Sequence, residues 1–245
     1  MSINHPKSLN SGSFATTRWS MVISARNNSP ESREALESLC IAYWQPLYVY
    51  ARRRALDDNE AQDWTQAFFT ELLEKNYLNS VSPERGRFRA FLLTAFKHFL
   101  TKEWDKIKAQ KRGGGCAPIS LNFHAANSAI HIDPASGLTA EQHYDQEWAI
   151  SLLDRILERL KAEFGAAGKA VYFEELKGFI IGDHAGTTYA DVAARLNITE
   201  EAAKKTGSRM RSRYREMLRE EITQTVASPD EVDDEIRNLF AILKL

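Results

Sequence analysis

The chain has 245 residues, 43% of them hydrophobic, which suits one large or two modest folded units and argues against global disorder. A formal net charge of −1 argues against a tight nucleic-acid binder acting alone, because phosphate neutralisation supplies much of such affinity. Two cysteines without a CxxC pair argue against a disulfide framework, and there is neither a signal segment nor a run near the roughly 18 apolar residues of a membrane span, so a cytoplasmic protein is expected.

Nearly every periodic segment has the helical period, and no alternating strand pair appears. Residues 1–28 read as an N-terminal extension. Ser29-Pro30-Glu31 starts a helix through Leu36, Leu39 and Cys40, expected to bend at Pro46 and continue to Arg54. Asp57-Asp58-Asn59 breaks it, and the next helix runs from about Glu60 to Lys75. There Trp64, Phe68 and Leu72 point inward, while Asp63, Gln66 and Thr70 share an outer face. That face suits docking on a basic or polar protein surface, or plain solvation.

The loop from Ser80 to Arg87 holds Arg85-Gly86-Arg87, where Gly allows close backbone approach and the arginines can hold phosphates or stack on a base. A long helix from about Phe88 to Gln110 follows. Phe88, Phe91, Leu92, Ala95 and Phe99 are expected to bury one stripe, while Thr94, Lys97, Thr101, Trp104 and Lys108 line another. The second row has the composition of a surface that stacks on bases and tracks phosphates, unless Trp104 packs on its own core.

Gly113-Gly114-Gly115 ends a first module at 29–112, and residues 113–144 read as a long linker. Cys116, His124, His131 and His143 match no zinc spacing, so no metal is expected. A second module at 145–224 opens with helices over roughly Glu147–Phe164 and Lys169–Ile180. Thr188 with Asp191 forms a capping box, Asn197-Ile198-Thr199 makes a turn, and Thr199 caps a second, basic helix. Along it Ala203, Gly207, Met210, Tyr214 and Met217 form a buried stripe, and Gly207 either permits close packing or is simply tolerated. Lys205, Ser208, Arg209 and Ser212 share another face, with donors for phosphates and base edges on a rod that fits a major groove. A C-terminal extension at 225–245 carries an acidic helix, with Val232, Ile236, Leu239, Phe240 and Leu243 expected on its apolar stripe.

The order of an Asp63-Trp-Thr-Gln66-Ala-Phe-Phe69 helix, the RGRFRAFLLTAFKHFLTKEW segment and YADVAARLNITEEAAKKTGSRMRSRYREML resembles the extracytoplasmic-function-type sigma factors of bacterial RNA polymerase. The resemblance implies an all-α fold of two helical modules, the second with a helix-turn-helix. It implies binding of the core polymerase clamp through Asp63, Gln66, Phe69 and Thr70. Arg85 and Arg87 would flank the pocket for a flipped base of the minus-ten element, and Thr94, Lys97, His98, Thr101, Trp104 and Lys108 would lie along opened DNA. Lys204, Lys205, Ser208, Arg209 and Ser212 would read the minus-thirty-five element, leaving Arg211, Arg213 and Arg215 for phosphates or the polymerase. The partners implied are core RNA polymerase and promoter DNA, with an anti-sigma factor as a further candidate. No cofactor is implied, and the absence of a nucleophile–base pair or phosphate-binding loop argues against an enzyme. The alternative is a helix-turn-helix repressor or activator that works without polymerase.

Overall fold

The computed structural model describes residues 22–23, 25, 30–55, 57–75, 77–82, 86–110, 137–182 and 186–244. The elements are α1 (Pro30–Arg52), α2 (Asp58–Glu74), α3 (Phe88–Gln110), α4 (Ala140–Ala166), α5 (Ala170–Leu176), α6 (Gly178–Ile181), α7 (Tyr189–Leu196), α8 (Glu200–Thr223) and α9 (Val232–Ile242), with 3-10 turns at Tyr77–Ser80 and Pro229–Glu231. The class is all-α as expected, and no strand occurs among the described residues.

Several helices start where a side chain takes up a free amide. Asp57 caps α2 by accepting from the Glu60 amide at 2.9 Å. Thr188 and Asp191 form the expected capping box of α7, with hydrogen bonds of 2.8 and 3.2 Å, and Asn197 ends that helix at a φ of 52°. The α4 helix begins earlier than expected, at Ala140, because Thr139 and Gln142 make a reciprocal capping box. The helix runs through Pro46 in α1, and the segment expected as one helix from Lys169 to Ile180 is broken at Lys177.

The first core is aromatic. Phe68 of α2 lies 4.9 Å from Phe96 and 5.7 Å from Phe99 of α3, and Tyr43 of α1 meets Phe88 edge-on at 5.5 Å. Each such buried ring contributes about 1.5–3 kcal/mol. Trp64, Phe68 and Leu72 are buried as expected. The buried stripe of α3 is Phe88, Leu92, Phe96 and Phe99, joined by Arg89 and Leu100; Phe91 and Ala95 are only half-buried. Phe96, omitted from the expected stripe, is wholly enclosed.

The longest helix, α4, ties the two halves together. It begins inside the span expected as linker and packs more extensively on α1 than on any other helix. Its Tyr144, Trp148, Ala149 and Leu152 are buried, and Tyr144 Oη donates to the Arg89 carbonyl of α3 at 3.0 Å. Farther along, Arg159 pairs with Glu221 of α8 at 2.9 Å. Buried side chains from α1 to α9 therefore form a continuous cluster. Residues 111–136, the greater part of the expected linker, lie outside the described residues.

The α9 stripe is rotated from the expected one. Val232, Glu235, Leu239 and Ile242 are buried, Ile236 and Leu243 are half-buried, and Phe240 is 45% exposed. An acid takes an inward position because two arginines meet it there.

Candidate nucleic-acid interface

The outer face of α8 is set by what its inner face buries. Ala203, Gly207, Met210 and Met217 are buried, with Tyr214 half-buried, which turns Lys204, Lys205, Ser208, Arg209 and Ser212 to solvent. Lys204 is held by Glu200 one turn earlier at 2.6 Å. Lys205, Arg209, Arg211 and Arg215 have no carboxylate partner among the described residues, so positive charge runs along the middle of α8 from Lys205, past Ser208, to Arg215. Arg213, expected to serve phosphates or the polymerase, is bound within the chain to Glu163 of α4 at 3.0 Å and to Glu216 at 3.3 Å. The Glu163 contact comes first in raising its pKa. Arg219 pairs with Asp233 of the tail. The α7 helix sits against the inner face of α8, with Tyr189 over Gly207. Close packing thus accounts for the glycine.

A second cationic row runs along α3. Thr94, His98 and Thr101 are exposed at the expected spacing. Lys97 is half-exposed, bonded to Glu141 of α4 at 2.7 Å and placed 5.9 Å from the Tyr50 ring. Trp104 is half-buried against Trp64 at 5.6 Å, so its ring belongs partly to the core of its own module. Arg87 is 43% exposed and reaches Glu235 at 2.6 Å. Arg85 and the side chain of Lys108 lie outside the described residues.

The α2 face holds Asp63 in solvent and Gln66 and Thr70 half-exposed. Phe69 is not on this surface: it is 6% exposed and stacks on Trp44 of α1 at 5.9 Å. The exposed apolar side chains nearby in sequence are Leu73, one turn beyond Phe69, and Ile41, one turn before Trp44, at 42% and 66% exposure. Neither was read from the sequence as part of a site, although Leu73 continues the spacing of Asp63, Gln66 and Thr70.

Glu141 and Glu235 were also missed. Glu141 receives Lys97 and also Arg54 at 3.5 Å, and the Lys97 hydrogen bond is first in holding its carboxyl below the usual glutamate range. The signal for Glu235 was present as an acid between Val232 and Leu239 at inward helical spacing. His143 contacts Arg53. Among the described residues no His, Cys, Asp and Glu group could hold a metal ion; Cys116, His124 and His131 lie outside them. No helix among the described residues is long and apolar enough to cross a membrane.

The surfaces occur in the order α2 face, α3 row, α8 row. No curated protein and no solved structure matches the chain in comparison. The family model described as ECF sigma factor matches residues 31–220, a span that contains all of these surfaces. The chain therefore belongs to the ECF sigma factor family, transcription initiation factors rather than enzymes, whose role is to direct RNA polymerase to promoters.

Proposed function

We propose that this sigma factor docks on core RNA polymerase through the α2 face and reads a promoter at two places, through α3 and α8. The observation that carries the reading is the pair of unengaged cations, Lys205 and Arg209, beside Ser208 on the outer face of α8. Arginine can bond two acceptors of a guanine edge, and such a contact discriminates by about 1–3 kcal/mol. Lys204 and Ser212 extend the row in both directions along the helix.

Minus-ten reading falls to α3 and the loop before it. Thr94, His98 and Thr101 are open to a strand, Lys97 and Trp104 continue the track, and the base pocket is assigned to Arg87 together with Arg85, which, like the Lys108 side chain of the same assignment, lies outside the described residues. Base flipping costs a few kcal/mol. A chain of net charge −1 gains little from nonspecific attraction, so joint docking on polymerase makes the second DNA contact effectively intramolecular. The polymerase face comprises Asp63, Gln66 and Thr70, widened by Leu73 and Ile41, with Phe69 supporting it from beneath. A protein anti-sigma factor covering this face would block the docking.

Co-elution of the purified chain with core polymerase tests the docking face. Asp63→Ala with Gln66→Ala is expected to weaken binding at least tenfold with helicity unchanged, about 1.4 kcal/mol or more. Wild-type affinity in that variant would refute the assigned face.

A further inference from the structure

The charged cluster where α9 meets α3 and α4 is not explained by polymerase or DNA binding. Its buried acid, Glu235, and Asn238 lie on the tail beyond the residues that the family model matches. Glu235 is 1% exposed and receives both Arg87 and Arg89. The Asn238 amide orientation that satisfies the nearby donors puts its carbonyl oxygen 2.9 Å from Arg89 Nη2 and 3.2 Å from Arg87 Nη1. The Arg89 guanidinium lies 4.1 Å over the Trp148 ring, and its Nε is 3.6 Å from Asp145. Tyr43, Phe88 and Thr225 complete the lining.

A carboxylate withdrawn from water this far is stable only with strong donors around it. The seat of α9 therefore depends on two arginines at the start of α3. One of them, Arg87, flanks the proposed base pocket. Farther along the same row Lys97 is held by Glu141. Among the described residues, then, the arginine and the lysine assigned to minus-ten DNA are each occupied by an acid from the C-terminal half. A carboxylate and a phosphate make the same demand on a guanidinium.

We propose that α9 is an autoinhibitory clasp, in which Glu235 takes the place of a promoter phosphate on Arg87 and keeps α4 and α9 seated on α3 until DNA displaces the tail. The proposal rests on the promoter-reading assignment of Arg87. Arg89, buried beneath the tail, is the hinge of the clasp; Arg87 is the group that changes partner. Apparent affinity for DNA in the free chain is then reduced by the fraction of molecules that are open.

Hydrogen exchange of the Val232–Ile242 amides tests the clasp in three states: the free full-length chain, the chain with core polymerase, and that complex with a forked promoter DNA. These amides should be protected in the free chain and lose protection at least tenfold in the promoter complex. Glu235→Gln should raise the affinity of the free chain for a minus-ten single strand by about tenfold. Undiminished protection in a promoter complex whose assembly is shown by co-elution would overturn the clasp and leave the sigma reading intact. An unchanged strand affinity in a Glu235→Gln chain of wild-type helicity would also overturn it. Failure of the wild-type chain to co-elute with polymerase would overturn the promoter reading, and the clasp with it.

Discussion

Tyr189 lies against α8 at Gly207: a Cβ at position 207 would come within 2.9 Å of Tyr189 Cε1 and Oη. The ring cannot easily give way, because Phe179 stacks on it at 4.2 Å between centroids. Gly207→Ala should gain about 1 kcal/mol of helix propensity and lose about 1–3 kcal/mol to overpacking. The net result is a less stable second half. In a Tyr189→Ala background the sign should reverse, so that Gly207→Ala becomes stabilising. Urea unfolding of the four proteins of this cycle checks it; equal effects in both backgrounds would mean that Tyr189 does not set the requirement for glycine.

The Arg89–Glu235 pair makes a second prediction. Arg89→Met leaves the buried Glu235 carboxylate with the half-exposed Arg87 as its remaining cation and should cost about 3 kcal/mol, the lower end of the range for breaking a buried pair. Adding Glu235→Leu should recover most of that loss, since an apolar replacement of a buried ion pair is often neutral or stabilising. Calorimetry of the single and double variants measures this. A double variant as unstable as the single would mean that packing against Trp148, rather than charge, is the main contribution of Arg89.

Promoter reading should separate base contacts from phosphate contacts. Arg209→Ala is expected to weaken promoter use by about 1–3 kcal/mol and to relax preference at one upstream position. Lys205→Ala is expected to weaken all sequences alike and reduce the salt slope by about 1. Binding of polymerase loaded with each variant to a panel of upstream sequences, at several salt concentrations, distinguishes them. Equal loss on every sequence with Arg209→Ala would make it a phosphate contact.

Acid should weaken the Glu141–Lys97 contact. The carboxyl of Glu141 is held below its ordinary range, first by the Lys97 hydrogen bond. A lowered folded-state pKa contributes stability above the unfolded value, about 4.3 for glutamate, and loses it as pH falls through the folded value. Both groups are partly exposed, so the gain is at most about 1 kcal/mol. An NMR titration of Glu141 should show its midpoint below about 4.3 in the wild type and closer to it in Lys97→Ala. An identical midpoint in the two proteins would remove Lys97 as the cause.

Local chemistry made much of the fold legible. Thr188, Asp191, Asn197 and Thr199 define helix ends through contacts three or four residues away, so the α7–α8 unit could be read directly. The Thr139–Gln142 box was equally local and was obscured by the aperiodic, Pro-containing stretch before it. The packing of α4 on α1 could not be read, because no local pattern states which helix a buried Tyr144 or Trp148 will meet. The same applies to Glu235: a carboxylate looks like a solvated position until Arg87 and Arg89, far away in sequence, are seen around it. Phe69 was assigned to a surface by resemblance, whereas the helical period places it beside Phe68 in the core. The α8 row was legible because its exposure follows from the stripe beneath it.

Promoter specificity is proposed to reside in the α8 and α3 rows. The most direct measurement is run-off transcription from a panel of promoters by purified core polymerase, with and without the full-length chain. New transcripts should appear from a subset of promoters, depend on both upstream and minus-ten sequences, and fall about tenfold with Arg209→Ala, within the range expected for a base contact. Transcription no different from that of core polymerase alone across promoters varied at both elements would contradict promoter reading by this chain.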